Sequence, residues 1–340
     1  MSNFFKDGIR VEHLKQWLDW AGGLDNSVFV ALPMIQRGSV WKPKQIIDLW
    51  DSLLRGMPLG SLMIGIIKKG GMVRPIGKTE LVAIQDDGLG LIDGQQRTLA
   101  MLIAWPKVGE KMDKRVWVDF ADQPSDEHLF RLHVTTQNHP FGFQKALPST
   151  KLSLDDRRKA RMAFIKEHDL GEKVPTTDEL FANAKPWDRV LPIELGKLID
   201  LCQQTKGDLW EDRVIKKIQA LKQCKSDGYD DEQNPKFRTV LWEERLDINR
   251  EKIKKRVNEF KLALDLLFKL QIPLIELREE LFDPNETDAR ENVDPALAVL
   301  FKRIGTGGTA LTDADYVYSI CSGQVFSDTK IGCSSVFFLS

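Results

Sequence analysis

The chain has 340 residues and 38.8 kDa, with 49 basic and 50 acidic side chains, so it exceeds one average domain and carries no global charge that would draw it to nucleic acid. A hydrophobic content of 42% with nine tryptophans supplies a real core and excludes a disordered chain. No apolar run approaches the roughly 18 residues of a membrane span, and MSNFFKDGIR lacks the charged-then-apolar pattern of a secretion signal, so the expected location is the cytoplasm.

In chain order, Val28 to Leu32 reads as a strand, followed by an irregular turn through Pro33, Gln36, Arg37 and Gly38. KPKQIIDLWDSLLRG then reads as a helix, with Pro43 in its first turn and Gly56 where a left-handed C-terminal cap belongs. Ile46, Ile47, Leu49, Trp50, Leu53 and Leu54 follow the helical period, so one face is expected to pack on a sheet. SLMIGII (61–67) reads as a buried strand, and Leu81–Ile84 with Leu89–Asp93 as a hairpin around Asp86, Asp87 and Gly88. Gly94 breaks that strand, QQRTLAMLIAW continues as a helix, and Trp117–Phe120 and Phe130–Thr135 are two further strands.

From about Leu147 the composition turns helical, with Leu, Ile, Lys, Arg and Glu at helical spacing over 151–168, 188–225 and 240–270, broken by Pro175, Pro186, Pro192 and Pro235. An acidic stretch from Glu276 to Asp294 precedes ALAVLFKRIGTGGTALTDADYVYSI, where an apolar element meets a glycine turn and a new helix. The expected fold class is therefore α/β, or α+β, with a mixed-sheet core and a large helical insertion or second helical domain. The expected divisions are 1–146, 147–270, 271–323 and a tail, 324–340. Cys202, Cys224, Cys321 and Cys333 form no C-x-x-C pair and the five histidines are scattered, so the thiols read as reduced small hydrophobes and no structural zinc is expected.

The strongest chemical signal is LIDGQQRTLAML, residues 91–102. An apolar strand ends in Asp93, Gly94 permits a tight turn, and a helix starts at once; the amides of a helix N-terminus favour anions. Arg97 can add a bidentate contact to phosphate or carboxylate, Asp93 can hold magnesium or orient a water, and Gln95 and Gln96 offer neutral hydrogen bonds. The plain alternative is a capped helix with Arg97 in a surface ion pair. Two other elements share the pattern of an arginine beside a turn. One is Gln36 and Arg37 ahead of Trp41; the other is RIGTGG (303–308), with Arg303, Thr306, Gly307, Gly308 and Thr309. REKIKKRVNEFK (250–261) is either a solvated helix face or a phosphate-contacting one, through Lys252, Lys254, Lys255 and Arg256.

The succession PMIQRGSVWKPKQIIDLWDSLLRGMPLGSLMI, LIDGQQRTLAML and LFKRIGTGGTALTDADY, in order from about residue 28 to 322, resembles the N-terminal domain of the GmrSD restriction-endonuclease family, which also occurs in SspE-type anti-phage defence proteins. The spacing of Gly94, Arg97 and Ala100 is similar to the phosphate-binding turn of the ParB/sulfiredoxin superfamily. The resemblance implies a ParB-like core in 1–146 and binding and hydrolysis of a nucleoside triphosphate (GTP or ATP, with Mg2+). Asp93, Gln95, Gln96 and Arg97 are the implied catalytic residues, with Asp93 on the metal. Gly94, Arg97, Thr98, Gln36, Arg37, Arg303, Thr306, Gly307 and Gly308 are the implied nucleotide contacts. Gly305 stands where the family's third motif commonly has asparagine, so that loop lacks an amide side chain.

The function expected from these residues is an NTP-hydrolysing sensor of a modification-dependent DNA restriction system. Relatives continue into an HNH-type nuclease domain, and IGCSSVFFLS before the end at Ser340 carries no His/Asn pattern, so the nuclease is expected on another domain or subunit. DNA, plain or modified, is the expected partner, with Arg37 and Trp41 in the early loop and the 250–261 helix as candidate contacts. The alternatives are a non-catalytic DNA-binding adaptor, which Lys216, Lys217 and Lys222 would assist, and a ParB-like nuclease.

Overall fold

The computed structural model describes residues 9–32, 41–76, 80–121, 124, 127–205, 209–229, 235–241, 243–279 and 299–300. Its elements begin with β1 (Arg10–His13), α1 (Leu14–Ala21), β2 (Val30–Leu32), α2 (Pro43–Leu54), β3 (Leu62–Ile67), β4 (Met72–Pro75), β5 (Val82–Ala83), β6 (Gly88–Asp93) and α3 (Gln95–Leu102). They continue with β7 (Lys114–Asp119), β8 (Leu132–Thr136), α4 (Leu154–Glu167), α5 (Thr177–Asn183), β9 (Pro192–Glu194), α6 (Leu195–Gln204) and α7 (Trp210–Gln219). The last are β10 (Lys222–Tyr229), β11 (Pro235–Leu241), α8 (Glu243–Leu267) and β12 (Gln271–Glu276). The fold class is mixed α/β, as the alternation of patterns predicts. The chain forms two compact units, one from Met1–Val40, Gly60–Leu99 and Gln271–Ser340, the other from Trp41–Leu59 and Ala100–Leu270.

The first unit is built on a seven-stranded sheet in the order β1-β12-β3-β6-β2-β4-β5. β6 lies in its middle, antiparallel to β3 and parallel to β2. Every residue from Gly88 to Ile92 is buried, as a strand covered on both faces must be. Ala31, Ile67, Val73, Ile84, Ile92 and Leu277 pack into one apolar cluster. Helix α1 buries Leu14, Trp17, Leu18 and Ala21 at helical spacing. Its Trp17 is completely buried and donates from Nε1 to Thr98 Oγ1 at 3.2 Å, so the indole is satisfied inside the core.

The hairpin expected over 81–93 does not form. β5 pairs with β4 instead (Met72↔Ala83, Val73↔Val82), and β6 pairs with β3 and β2. The reason is burial: the apolar run of β6 requires neighbours on both sides, whereas Val82 and Ala83 are exposed and suit an edge.

In the second unit α2 starts with Pro43 at its first turn, and Lys42 N–H donates to Gln45 Oε1 at 2.9 Å. It ends at Leu54, and Gly56 takes φ +71 beyond the last turn, as the sequence predicts. Ile46, Ile47, Leu49, Trp50, Leu53 and Leu54 are buried on one face. Trp50 Nε1 donates to the carbonyl of Ala100 at 3.0 Å. A three-stranded sheet, β8-β7-β9, is antiparallel throughout. Helix α8 runs over 25 residues with non-helical backbone at Asn249. Phe260 of α8 meets Phe120 and Phe130 edge-on at 5.5 and 4.9 Å, and Trp210 Nε1 of α7 donates to Val257 O at 3.1 Å. The 222–241 segment, read from sequence partly as helix, is the antiparallel pair β10–β11. Gly228, at φ +83, sits in the register irregularity between Ser226 and Tyr229 of β10.

Asp119, at the end of β7, is 3% exposed and accepts three backbone N–H groups, from Ala121 at 3.0 Å, Val190 at 2.7 Å and Leu191 at 2.9 Å. It joins the β7 end to the segment leading into β9. Replacing it by alanine strands those donors. Asp119→Ala is expected to lower unfolding free energy by about 2–4 kcal/mol, read from the urea midpoint; a loss within experimental error would show that water replaces the carboxylate.

Candidate functional site at the Asp93–Thr98 turn

The turn is set up by an irregularity in β6. Asp93 pairs with Met63 but Leu91 pairs with Ile64, so Ile92 is the extra residue of a bulge. One added residue shifts the strand's alternation and re-aims the side chains beyond it. Asp93 accordingly emerges with 37% of its side chain exposed, directly after five buried residues.

Gly94 then reverses the chain with φ +95, and a Cβ there would lie 2.1 Å from Leu62 Cδ2 and 3.3 Å from Arg97 Nη2. Both the dihedral and the contact demand glycine. Thr98 N–H donates to Gly94 O at 2.9 Å, closing the first turn of α3 with Gly94 as its N-cap residue. The N-terminal turn of α3 therefore faces the end of the central strand, where the helix dipole favours negative charge.

Arg97 lies over this turn. Its Nη2 donates to Asp93 Oδ2 at 3.1 Å, and the two side chains are 23% and 37% exposed. A pair of this exposure, four residues apart, contributes only about 0.3–0.5 kcal/mol, so a ligand that competes for either group displaces little. On the guanidinium's other side, Gly60 has φ +75, and a Cβ there would stand 3.2 Å from Arg97 Nη1. Two left-handed glycines thus leave the space in which the guanidinium sits. The sequence around Gly60 does not mark it, because what requires it is the Arg97 guanidinium, distant along the chain.

The neighbouring candidates divide by burial. Gln95 is 8% exposed and Thr98 is fully buried, its hydroxyl accepting from Trp17, while Gln96 is half-buried beside Arg97. The donor set suits a phosphate with a hard cation, since Asp93 supplies a half-exposed carboxylate oxygen and Arg97 a guanidinium beside space that a Cβ at Gly60 or Gly94 would fill.

A family profile described as GmrSD restriction endonuclease, N-terminal domain, matches residues 20–321. The chain belongs to this GmrSD N-terminal domain family. It is thus a module of a restriction system, whose target is DNA. No curated protein matches the chain. Among the described residues, no helix is long and apolar enough to cross a membrane.

Of the other residues singled out from this GmrSD-family sequence, Gln36, Arg37, Arg303, Thr306, Gly307, Gly308 and Thr309 lie outside the described residues. Trp41 is half-buried just ahead of α2, in the second unit. The basic residues of α8 have unequal surroundings. Arg256 Nη1 donates to Phe120 O at 2.8 Å and Ala121 O at 2.9 Å, and Lys254 pairs with Glu211 at 3.2 Å. Lys255 is exposed and loosely paired with Glu259 at 4.0 Å, and Lys252 is exposed. Arg256 is thereby a structural tie, while Lys252 and Lys255 face solvent.

Gly94→Ala carries two costs, a left-handed backbone and the collision with Leu62, together about 2–4 kcal/mol. Gly23→Ala is the control, because Gly23 has φ +67 with nothing within 4 Å of a Cβ; it loses only the backbone part, about 1–2 kcal/mol. Equal shifts of the urea midpoint in the two variants would show that Leu62 does not crowd the turn.

Proposed function

We propose that this chain is the nucleotide-responsive sensor of its restriction system, binding and hydrolysing a nucleoside triphosphate, GTP or ATP, at the Asp93–Arg97 turn. The observation that carries the reading is the Arg97 guanidinium, placed between Gly60 and Gly94 and beside Asp93 at the start of α3. Arg97 and the first-turn amides would hold phosphate oxygens and stabilise the charge that grows on them during transfer. Asp93 would hold magnesium or orient the attacking water, and Gln96 would hydrogen-bond the bound group. Bound magnesium would supply charge neutralisation to the phosphate. Gln95 and Thr98, being buried, would act by fixing the turn. Gln36, Arg37 and the 303–308 segment complete the nucleotide site in this proposal, on the family resemblance of their motifs.

The Asp93–Arg97 contact suggests how binding is signalled. With phosphate on Arg97 and a cation on Asp93 the two side chains would no longer need each other, and the start of α3 would be re-tied through the ligand. A rearrangement of this kind can gate a nuclease carried by another domain or subunit.

A second reading, a DNA-binding adaptor without hydrolysis, is favoured by the exposed Lys252 and Lys255 of α8 and the exposed Lys216 and Lys217 that end α7. One assay separates the two. Phosphate release is measured with each of the four NTPs, with and without plain or base-modified DNA, in wild type and Arg97→Ala. The sensor reading expects magnesium-dependent release, reduced by about 10²–10³ in Arg97→Ala with an unchanged circular-dichroism spectrum. Undiminished turnover in that variant removes Arg97 from the mechanism. Steeply salt-dependent DNA binding with no phosphate release selects the adaptor.

A further inference from the structure

Within the second unit, one face of β8 gathers positive charge around a buried histidine. Asp119 N–H donates to Arg131 O at 2.9 Å, so the ladder includes Arg131, and strand alternation places Arg131 and His133 on the same face. His133 is 7% exposed, and its Nδ1 accepts from Arg189 Nε at 3.0 Å. A guanidinium only donates, so the ring proton is on Nε2. That Nε2 is buried and has no hydrogen-bond partner; Arg131 Nε is buried and unpartnered as well.

The two arginines are positioned by one loop. Arg189 Nη2 donates to Phe143 O at 3.0 Å, and Arg131 Nη2 donates to Lys145 O. The same loop brings up the Lys145 ammonium, on an exposed residue. Burial first, and then the charges of Arg189, Arg131 and Lys145, hold the His133 pKa well below the ordinary histidine range. All three of those charges are cationic. The charges that act on the ring have one sign, and His133 Nε2 and Arg131 Nε are buried donors with no hydrogen-bond partner. Native proteins rarely leave such donors unanswered. The component that answers them is an anion with several acceptor oxygens pointing in different directions, which a phosphate provides and which donors from a guanidinium, an imidazole and an ammonium can share.

We propose that Arg131, His133, Lys145 and Arg189 form a second phosphate-binding site, separate from the Asp93–Arg97 turn. The phosphate is either a free anion or part of a nucleic-acid backbone.

The test uses the full chain labelled with 15N-histidine, following the His133 Nε2–H resonance during titration with inorganic phosphate and, separately, with a DNA duplex. Sodium chloride of equal ionic strength is the blank. The expected result is a saturable shift that chloride does not produce. Lys145→Glu changes an exposed residue and should leave the fold intact, yet it should weaken the response by about tenfold or more, as removal of a charged hydrogen-bonding partner does. Arg131→Gln should do the same. A shift with duplex at lower concentration than with inorganic phosphate assigns a backbone phosphate; a shift with inorganic phosphate alone assigns a free anion. A resonance unmoved by both, or moved equally by chloride, or an affinity unchanged in Lys145→Glu and Arg131→Gln, overturns the proposal. Arg97→Ala should leave the titration unaltered, so failure of NTP hydrolysis would not decide this site.

Discussion

The candidate nucleotide site depends on how the chain leaves the middle of the first unit's sheet. β6 is hydrogen-bonded on both sides and buried through Ile92, so it has no room to drift before the helix starts. Leu62, on the neighbouring strand, occupies the space a side chain at position 94 would need. Only a residue without a Cβ passes there, and only glycine takes φ +95 without strain. That one residue converts a central strand into a helix N-terminus and sets Asp93 and Arg97 within 3.1 Å of each other. Trp17, donating to the buried Thr98 hydroxyl, holds the first turn of the helix to the core from the other side.

The same constraint explains why the ion pair of the turn is suited to exchange. A strong, buried pair would resist any ligand, because separating it leaves a charge unsolvated. Asp93 and Arg97 are partly in water, so neither suffers that penalty. The shape of its surroundings also constrains Arg97. Gly60 and Gly94 approach its two Nη atoms from different stretches of chain, leaving the guanidinium positioned while its contact with Asp93 stays replaceable.

Local signals were legible where they were complete. α2 has a proline at its start, helical apolar spacing and a left-handed glycine past its end, and all three stand in the structure. The strand–glycine–helix passage at 88–102 was legible for the same reason. The hairpin expected over 81–93 was not, because Asp86, Asp87 and Gly88 report a turn without saying which strands it joins. That was decided by which run needed burial on both faces. The β10–β11 pair was obscured by lysine-rich composition that helices and exposed strands share. Gly60 could not be marked from its own neighbourhood, since what makes it special is Arg97, far along the chain. Arg131, His133, Lys145 and Arg189 escaped for the same reason, being scattered in sequence and assembled by β8 and two loops.

The net charge of −1 conceals this unevenness. Much of the surface charge is neutralised locally, as in Lys15–Asp19, Lys44–Asp48, Lys159–Asp155 and Lys261–Asp265, each four residues apart on a helix. Such pairs are dictated by helical spacing and need no partner molecule. An arginine seated on a carbonyl gains hydrogen bonds there, but a neutral acceptor does not cancel its charge. Arg131 is seated in this way on the Lys145 carbonyl. The positive field around His133 therefore originates from partly or fully buried guanidiniums more than from surface lysines, and low local dielectric screens it less than water would. A chain neutral by count can in this way present focused positive potential to a phosphorylated ligand without a basic exterior.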